Sequence, residues 1–83
     1  MKIVFTKRAL RELSRLERTT QKRILDKLDE YFSESDPLKF AERLQDFRFG
    51  SWRFRVGEYR VLGDSMGNNF VVLKVGDRKD VYR

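Results

Sequence analysis

The chain has 83 residues, with 19 Lys and Arg against 13 Asp and Glu, a formal net charge of +6, and no cysteine or histidine. The missing residue types exclude disulfides, thiolate or imidazole metal sites, and catalysis by a Ser-His-Asp triad or a Cys-His pair. The length suits a single domain over residues 1–83, and the basic balance favours a polyanion or an acidic protein as the partner.

The first part of the chain predicts a strand followed by two helices. Lys2–Phe5 is short and partly β-branched, as in a first strand, and Thr6 is placed to cap the helix that follows. A second, longer helix begins at Thr19 or Thr20. The apolar stripes that predict the buried helix faces are Ala9, Leu10, Leu13 and Leu16, and then Ile24, Leu25, Leu28, Tyr31 and Phe32. No segment is suited to a signal peptide or a membrane span, so the cytoplasm is the expected location.

The rest of the chain predicts a short helical turn and then several strands. Ser33–Pro37 ends the second helix, and its last two residues start the helical turn. Phe70–Val75 is an apolar run suited to a central strand. The predicted connections are Gln45–Gly50, which leads into a hairpin, Gly63–Asn69, which is a polar turn region, and Gly76–Asp77, which interrupts the last strand before Arg78–Arg83. This order predicts an α+β fold, with a helical hairpin packed on a mainly antiparallel twisted sheet.

The stretch Ser51–Leu62, which reads SWRFRVGEYRVL, has the pattern of a β-hairpin. Apolar residues alternate with Arg53 and Arg55, and Gly57-Glu58 suits a two-residue type II′ turn. In this register Arg55 lies opposite Arg60. One face of the hairpin is therefore apolar, and the other carries three guanidiniums.

The three arginines of the hairpin lie close enough to repel one another. Two cations about 5 Å apart repel by about 1 kcal/mol in water and by about 3 kcal/mol at an effective dielectric near 20. An anion between them turns this repulsion into attraction, and guanidinium forks match phosphate oxygens. A solvated polar face is the alternative, since arginine is common on solvent-facing strands. The three together favour a phosphate-binding surface.

Two stretches carry a resemblance to a known family. WRFRVGEYRV, within Leu44–Arg60, and VLKVGDRKDVYR, at residues 72–83, resemble the RelE/ParE superfamily of toxins from type II toxin–antitoxin pairs. The order of strand, helical hairpin and basic sheet agrees over essentially the whole chain. The resemblance implies a RelE-like fold, and RelE-type members are ribosome-dependent endoribonucleases, or mRNA interferases, that cut messenger RNA in the decoding site.

Within this resemblance, five residues take the positions of the family's active set. They are Arg53 and Arg55 before the turn, Arg60 after it, and Arg78 and Tyr82 near the end of the chain. The implied hydrolase uses no metal and no small-molecule cofactor, because the 2′-OH of the RNA attacks its own phosphorus and the cations stabilise the added charge. Tyr82 either stacks on a base or exchanges a proton, and a half-buried aromatic near a strand end is its structural alternative.

The resemblance leaves the general base unidentified. The best-studied pattern has Lys where this chain has Arg53 and Arg55, and arginine stays protonated. The nearby carboxylates in the sequence are Glu58, Asp77 and Asp80. Since Arg83 follows Tyr82 at once, no C-terminal helix is expected, and an acidic antitoxin is expected to cover the arginines directly.

Two other functions remain open at this stage. ParE-type members share the fold and act on DNA gyrase without cutting RNA, although they generally lack the full active set. A third and weaker alternative is a protein that binds RNA or an antitoxin without activity. The complete set of five residues favours RNA cleavage.

Overall fold

A computed structural model of the chain describes residues 1–45 and 48–82. Its elements in chain order are β1 (Lys2–Phe5), α1 (Lys7–Ser14), α2 (Arg18–Phe32), a 3₁₀ helix (Pro37–Phe40), β2 (Glu42–Arg43), β3 (Trp52–Val56), β4 (Tyr59–Met66) and β5 (Asn69–Asp77). Within these residues, five strands form one sheet in the order β1-β5-β4-β3-β2. β1 is parallel to β5, and the other neighbouring pairs are antiparallel. The expected α+β fold with a mainly antiparallel sheet is confirmed.

The first strand and the cap of the first helix are as predicted. β1 spans Lys2–Phe5. The backbone N–H of Ala9 donates to Thr6 Oγ1 at 3.1 Å. This bond satisfies one of the N–H groups that a helix leaves unpaired in its first turn.

The start of α2 differs slightly from the prediction. The helix begins at Arg18 rather than at Thr19 or Thr20, and its N-cap side chain makes no capping hydrogen bond. Gln21 Nε2 donates to the carbonyl of Leu16 at 2.8 Å, which ties the first turn of α2 to the connection that follows α1. No helix in residues 1–45 and 48–82 has the length and apolar character that a membrane crossing requires.

Each helix buries a narrower stripe than predicted. The fully buried residues are Ala9 and Leu13 in α1 and Ile24 and Leu28 in α2. Leu10 is 55% exposed and Leu25 is 40% exposed, so their prediction as core residues is wrong. Each directly follows a buried residue, and one step along a helix turns the side chain by about 100°, away from the sheet.

Aromatic rings from the helices and the sheet form the centre of the core. Phe54 and Phe70 are fully buried and meet edge to face, with centroids 5.3 Å apart. Tyr31 and Phe32 at the end of α2 lie 5.6 and 5.4 Å from Phe54. Beyond the predicted helix break, Phe40 of the 3₁₀ helix stacks on Tyr31 at 4.8 Å. These contacts hold α2 against one face of β3, which turns the opposite face away from the helices.

Two predicted breaks in the sheet are wrong. Gly63–Asn69 is not a turn region, because β4 continues to Met66 and only the next two residues connect it to β5. Gly76–Asp77 does not interrupt the last strand, because both residues pair with β4. Gly63 marks a close approach of two backbones, since a β-carbon there would collide with the carbonyl oxygen of Val71.

The hairpin register is confirmed. Arg55 pairs with Arg60 across β3 and β4. Gly57 has a φ of +59°, and no non-glycine residue in the described part of the chain has a positive φ, a combination that fits the predicted type II′ turn. Residues 46 and 47 of the predicted connection Gln45–Gly50 lie outside the described residues, as does Arg83.

Candidate functional site

Three arginines share the outer face of the hairpin. Phe54, Val56 and Val61 point into the core. Because successive side chains of a strand alternate between faces, Arg53 and Arg55 of β3 and Arg60 of β4 lie on the face turned away from the helices. We call these three residues the arginine face.

Backbone oxygens hold Arg60 in place. Its side chain is nearly buried, and Nη1 donates to the carbonyls of Gly57 at 2.9 Å and of Tyr59 at 2.8 Å. Both bonds use the same nitrogen, so Nε and Nη2 have no hydrogen-bond partner within residues 1–45 and 48–82. Arg60 is thus a cation held in place by the backbone, and its Nε and Nη2 groups can still donate hydrogen bonds.

Glu42 of β2 lies between the other two arginines. Its Oε2 is 2.8 Å from Arg53 Nη2, and its Oε1 is 2.6 Å from Arg55 Nε. The hydrogen bond from Arg53 is the main cause that lowers the pKa of the Glu42 carboxyl; burial is the next largest and acts in the opposite direction, and the charges of the arginine face add to the lowering. An ionised carboxylate therefore occupies the place where the sequence predicts an external anion.

Tyr82 joins the same cluster from the end of the chain. Arg53 Nη1 donates to the Tyr82 hydroxyl, and the guanidinium lies 6.0 Å from the centre of the ring. Burial lowers the pKa of Arg53, but the hydrogen bonds to Tyr82 and Glu42 outweigh it and raise this pKa above its ordinary value. The ring of Tyr82 is 44% exposed, which leaves an aromatic surface beside the arginine face.

Arg78 is placed at the hairpin turn. Its backbone N–H donates to the carbonyl of Glu58 at 2.8 Å, and its Nε lies 2.7 Å from Glu58 Oε2. The structure therefore brings Arg53, Arg55 and Tyr82 together through direct or shared contacts, whereas Arg78 forms its ion pair at the turn.

The sequence reasoning missed Glu42. The carboxylates considered near the arginines were Glu58, Asp77 and Asp80, but Glu58 pairs with Arg78 instead. Glu42 lies on a two-residue strand, which is too short to show an alternating pattern. The pairing of Glu42 with Arg53 across β2 and β3 is what brings the carboxylate to this face.

The fold is that of a small basic toxin of the RelE/ParE superfamily. The chain is similar to a chain in the crystal structure of the toxin–antitoxin complex RelBE2 from Mycobacterium tuberculosis, with 28% identity, a TM-score of 0.67, and coverage of 93% of this chain and 96% of that chain. No curated protein sequence matches the chain. A family model described as the ParE toxin of the type II toxin–antitoxin system parDE matches residues 3–82, so the chain belongs to this toxin family.

Proposed function

We propose that this toxin is a ribosome-dependent endoribonuclease that cleaves messenger RNA without a metal ion. The observation that carries the proposal is the convergence of Arg53, Arg55, Arg60 and Tyr82 on one face of the sheet. Three guanidiniums on a rigid hairpin suit the dianionic phosphorane that forms when a phosphodiester rearranges, and preorganised cations of this kind stabilise a transition state by several kcal/mol.

The reaction takes its nucleophile from the RNA. The 2′-oxygen attacks the adjacent phosphorus, the bond from phosphorus to the 5′-oxygen breaks, and the products are a 2′,3′-cyclic phosphate and a 5′-OH end. One proton leaves the 2′-OH and one reaches the 5′-oxygen, so the enzyme has only to position the groups, stabilise charge and move protons.

Glu42 is the group that we assign to the first proton transfer. Glu42 is ionised at neutral pH, as a proton acceptor must be, but the hydrogen bond from Arg53 that lowers its pKa also weakens it as a base until that bond is lost. A phosphate that binds Arg53 and Arg55 competes for the N–H groups that Glu42 now holds, which releases a carboxylate oxygen toward the 2′-OH.

Tyr82 and Arg78 take the remaining roles. The Tyr82 hydroxyl accepts a hydrogen bond from Arg53, and its O–H is proposed to donate a proton to the leaving 5′-oxygen. Arg78, held by Glu58 at the turn, adds positive charge beside the hairpin. A chain of this size has little surface with which to read RNA sequence, so the ribosome supplies the message in a fixed position.

The antitoxin of this pair is proposed to be acidic. A helix or strand rich in Asp and Glu that lies across the sheet hides Arg53, Arg55 and Arg60 from RNA. Charge reversal at Arg55, which is exposed, is expected to weaken this complex and to reduce its salt dependence. Binding that is indifferent to Arg55→Glu contradicts this mode of inhibition.

Mapping of RNA ends tests the nuclease proposal. After brief induction of the toxin, primer extension is expected to show new 5′ ends inside translated reading frames. Arg60→Ala is expected to abolish these cuts, and Arg11→Ala, which removes an exposed cation of α1, serves as the control that keeps them. Growth arrest with intact messages contradicts the proposal.

A non-enzymatic inhibitor of DNA gyrase is the second candidate. The description of the matching family as ParE toxins favours it, as does the engagement of Arg55 and Arg78 by carboxylates of their own chain. This candidate predicts that the purified toxin inhibits DNA supercoiling by gyrase and leaves ribosome-bound messages uncut. The two assays on one preparation separate the candidates.

A further inference from the structure

Arg23 of α2 lies beside the hairpin turn although it belongs to the helical layer. A β-carbon built on Gly57 would be 3.5 Å from Arg23 Nη1. Gly57 is exposed and has a φ of +59°, a backbone conformation that favours glycine. A cation of the helical layer therefore lies at the edge of the sheet.

Three guanidiniums surround this two-residue turn. Arg60 donates to the Gly57 carbonyl from the outer face, Arg78 pairs with Glu58, and Arg23 approaches Gly57 from the helical side. Arg60 Nη1 lies 2.9 Å from the Gly57 carbonyl oxygen and Arg23 Nη1 lies 3.5 Å from the place of a β-carbon on Gly57, so the two nitrogens are no more than about 10 Å apart. Two cations within this limit can contact neighbouring phosphates of one RNA strand.

The charges at the turn are unbalanced. Glu58 is the carboxylate on the turn itself, and it is engaged by Arg78. Arg23 is exposed and forms no ion pair or hydrogen bond within residues 1–45 and 48–82. A cation that remains unpaired beside two others is attracted to any phosphate that passes the turn.

We propose that Arg23 binds a second RNA phosphate, so that the RNA backbone continues from the arginine face around the hairpin turn toward α2. This inference rests on the proposed function, which places the first phosphate at the arginine face. Arg23 is a binding residue and not a catalytic one, since it lies on the helical side of the turn. The second phosphate belongs either to the strand being cut or to structured ribosomal RNA.

The test compares Arg23→Gln with Arg11→Gln. Both remove one exposed arginine from a helix and change the net charge equally, but Arg11 lies on the solvent side of α1, between the buried Ala9 and Leu13. Thermal unfolding and circular dichroism of both variants establish that the fold is retained. Binding is measured with two probes over a range of salt concentrations, a short single-stranded RNA with 2′-O-methyl groups, which cannot be cut, and ribosomes without message.

Loss of one phosphate contact on a single strand reduces the slope of log K against log salt by about 0.7. We expect Arg23→Gln to show this reduction with roughly threefold to fivefold weaker binding at low salt, and Arg11→Gln to behave as the wild type. If the salt slope falls with the single-stranded probe, the phosphate belongs to the message. If the slope falls only with the ribosome probe, the phosphate belongs to structured RNA. If Arg23→Gln matches Arg11→Gln with both probes, or if the wild type binds neither probe, the inference is overturned. Failure of cleavage with an intact Arg23 effect contradicts the proposed function alone.

Discussion

Replacement of Glu42 by glutamine separates RNA binding from RNA cleavage. The two carboxylate oxygens each hold one guanidinium, Arg55 at 2.6 Å and Arg53 at 2.8 Å. Glutamine has the same shape but no charge, and only one of its two terminal atoms accepts a hydrogen bond. The substitution therefore frees one or two guanidiniums for RNA phosphates and removes the proposed base.

Glu42→Gln is expected to strengthen RNA binding and to slow RNA cleavage. Each added phosphate contact steepens the salt dependence of single-strand binding by about 0.7, so we expect a slope that is steeper by about 0.7 to 1.4 and tighter binding at low salt. Removal of a general base slows the reaction by about 10² to 10⁴. Tighter binding with slower cutting is a result that partial unfolding cannot produce.

Fluorescence anisotropy with a non-cleavable RNA and single-turnover cleavage on programmed ribosomes measure the two effects. Glu30→Gln is the matched control, because Glu30 is an exposed carboxylate of α2 whose ion pair is with Lys27. It changes the net charge equally at a distance from the arginine face. If Glu42→Gln binds RNA like Glu30→Gln and cuts at the wild-type rate, Glu42 neither occupies the anion site nor acts as the base.

Three further predictions concern stability and ionisation. Phe54→Ala removes the ring on which the core aromatics meet. We expect urea unfolding to show a decrease of about 3 to 5 kcal/mol in the free energy of unfolding, which is about 4 to 12 kcal/mol for a chain of this length. A decrease under about 1 kcal/mol contradicts the described core. Thr6→Ala removes the N-cap bond to Ala9 and is expected to cost about 1 kcal/mol in the same assay, whereas Thr6→Ser is expected to be nearly neutral. Because the pKa of Glu42 is lowered, its ion pairs are expected to persist as pH falls through the ordinary glutamate range and to be lost only as pH falls through the lowered value. An NMR titration of the Glu42 carboxyl measures this, and Arg53→Gln is expected to move the midpoint back up; an unmoved midpoint assigns the shift to another cause.

The hairpin could be predicted from the sequence because its signals are local. Alternation around Gly57 sets the register, and the register alone determines that Arg53, Arg55 and Arg60 share a face. Thr6 was likewise predictable, since a cap acts within three residues of itself. The hairpin register and the helix cap both depend on residues that are close in the sequence, so the sequence pattern was sufficient to predict them.

The errors arose where distant contacts decide the outcome. Gly63 has the local signal of a turn, but it lies inside β4. Glycine is needed there because the backbone of Val71 comes too close for a side chain. Leu10 and Leu25 fit an apolar stripe, but the sheet covers only part of each helix. Glu42 has no local signal at all, because its role follows from the pairing of a two-residue strand with β3. The carboxylate partner of the arginine face was therefore the part of the site that only the fold could reveal.

The chemistry of the RNA ends tests the central claim most directly. Purified toxin is incubated with ribosomes that carry a defined message, and mass spectrometry identifies the 3′-terminal nucleotide of the upstream fragment. The account predicts a 2′,3′-cyclic phosphate on this fragment and no fragment with Arg60→Ala. An intact message, or an upstream fragment that ends in a 3′-OH, contradicts it.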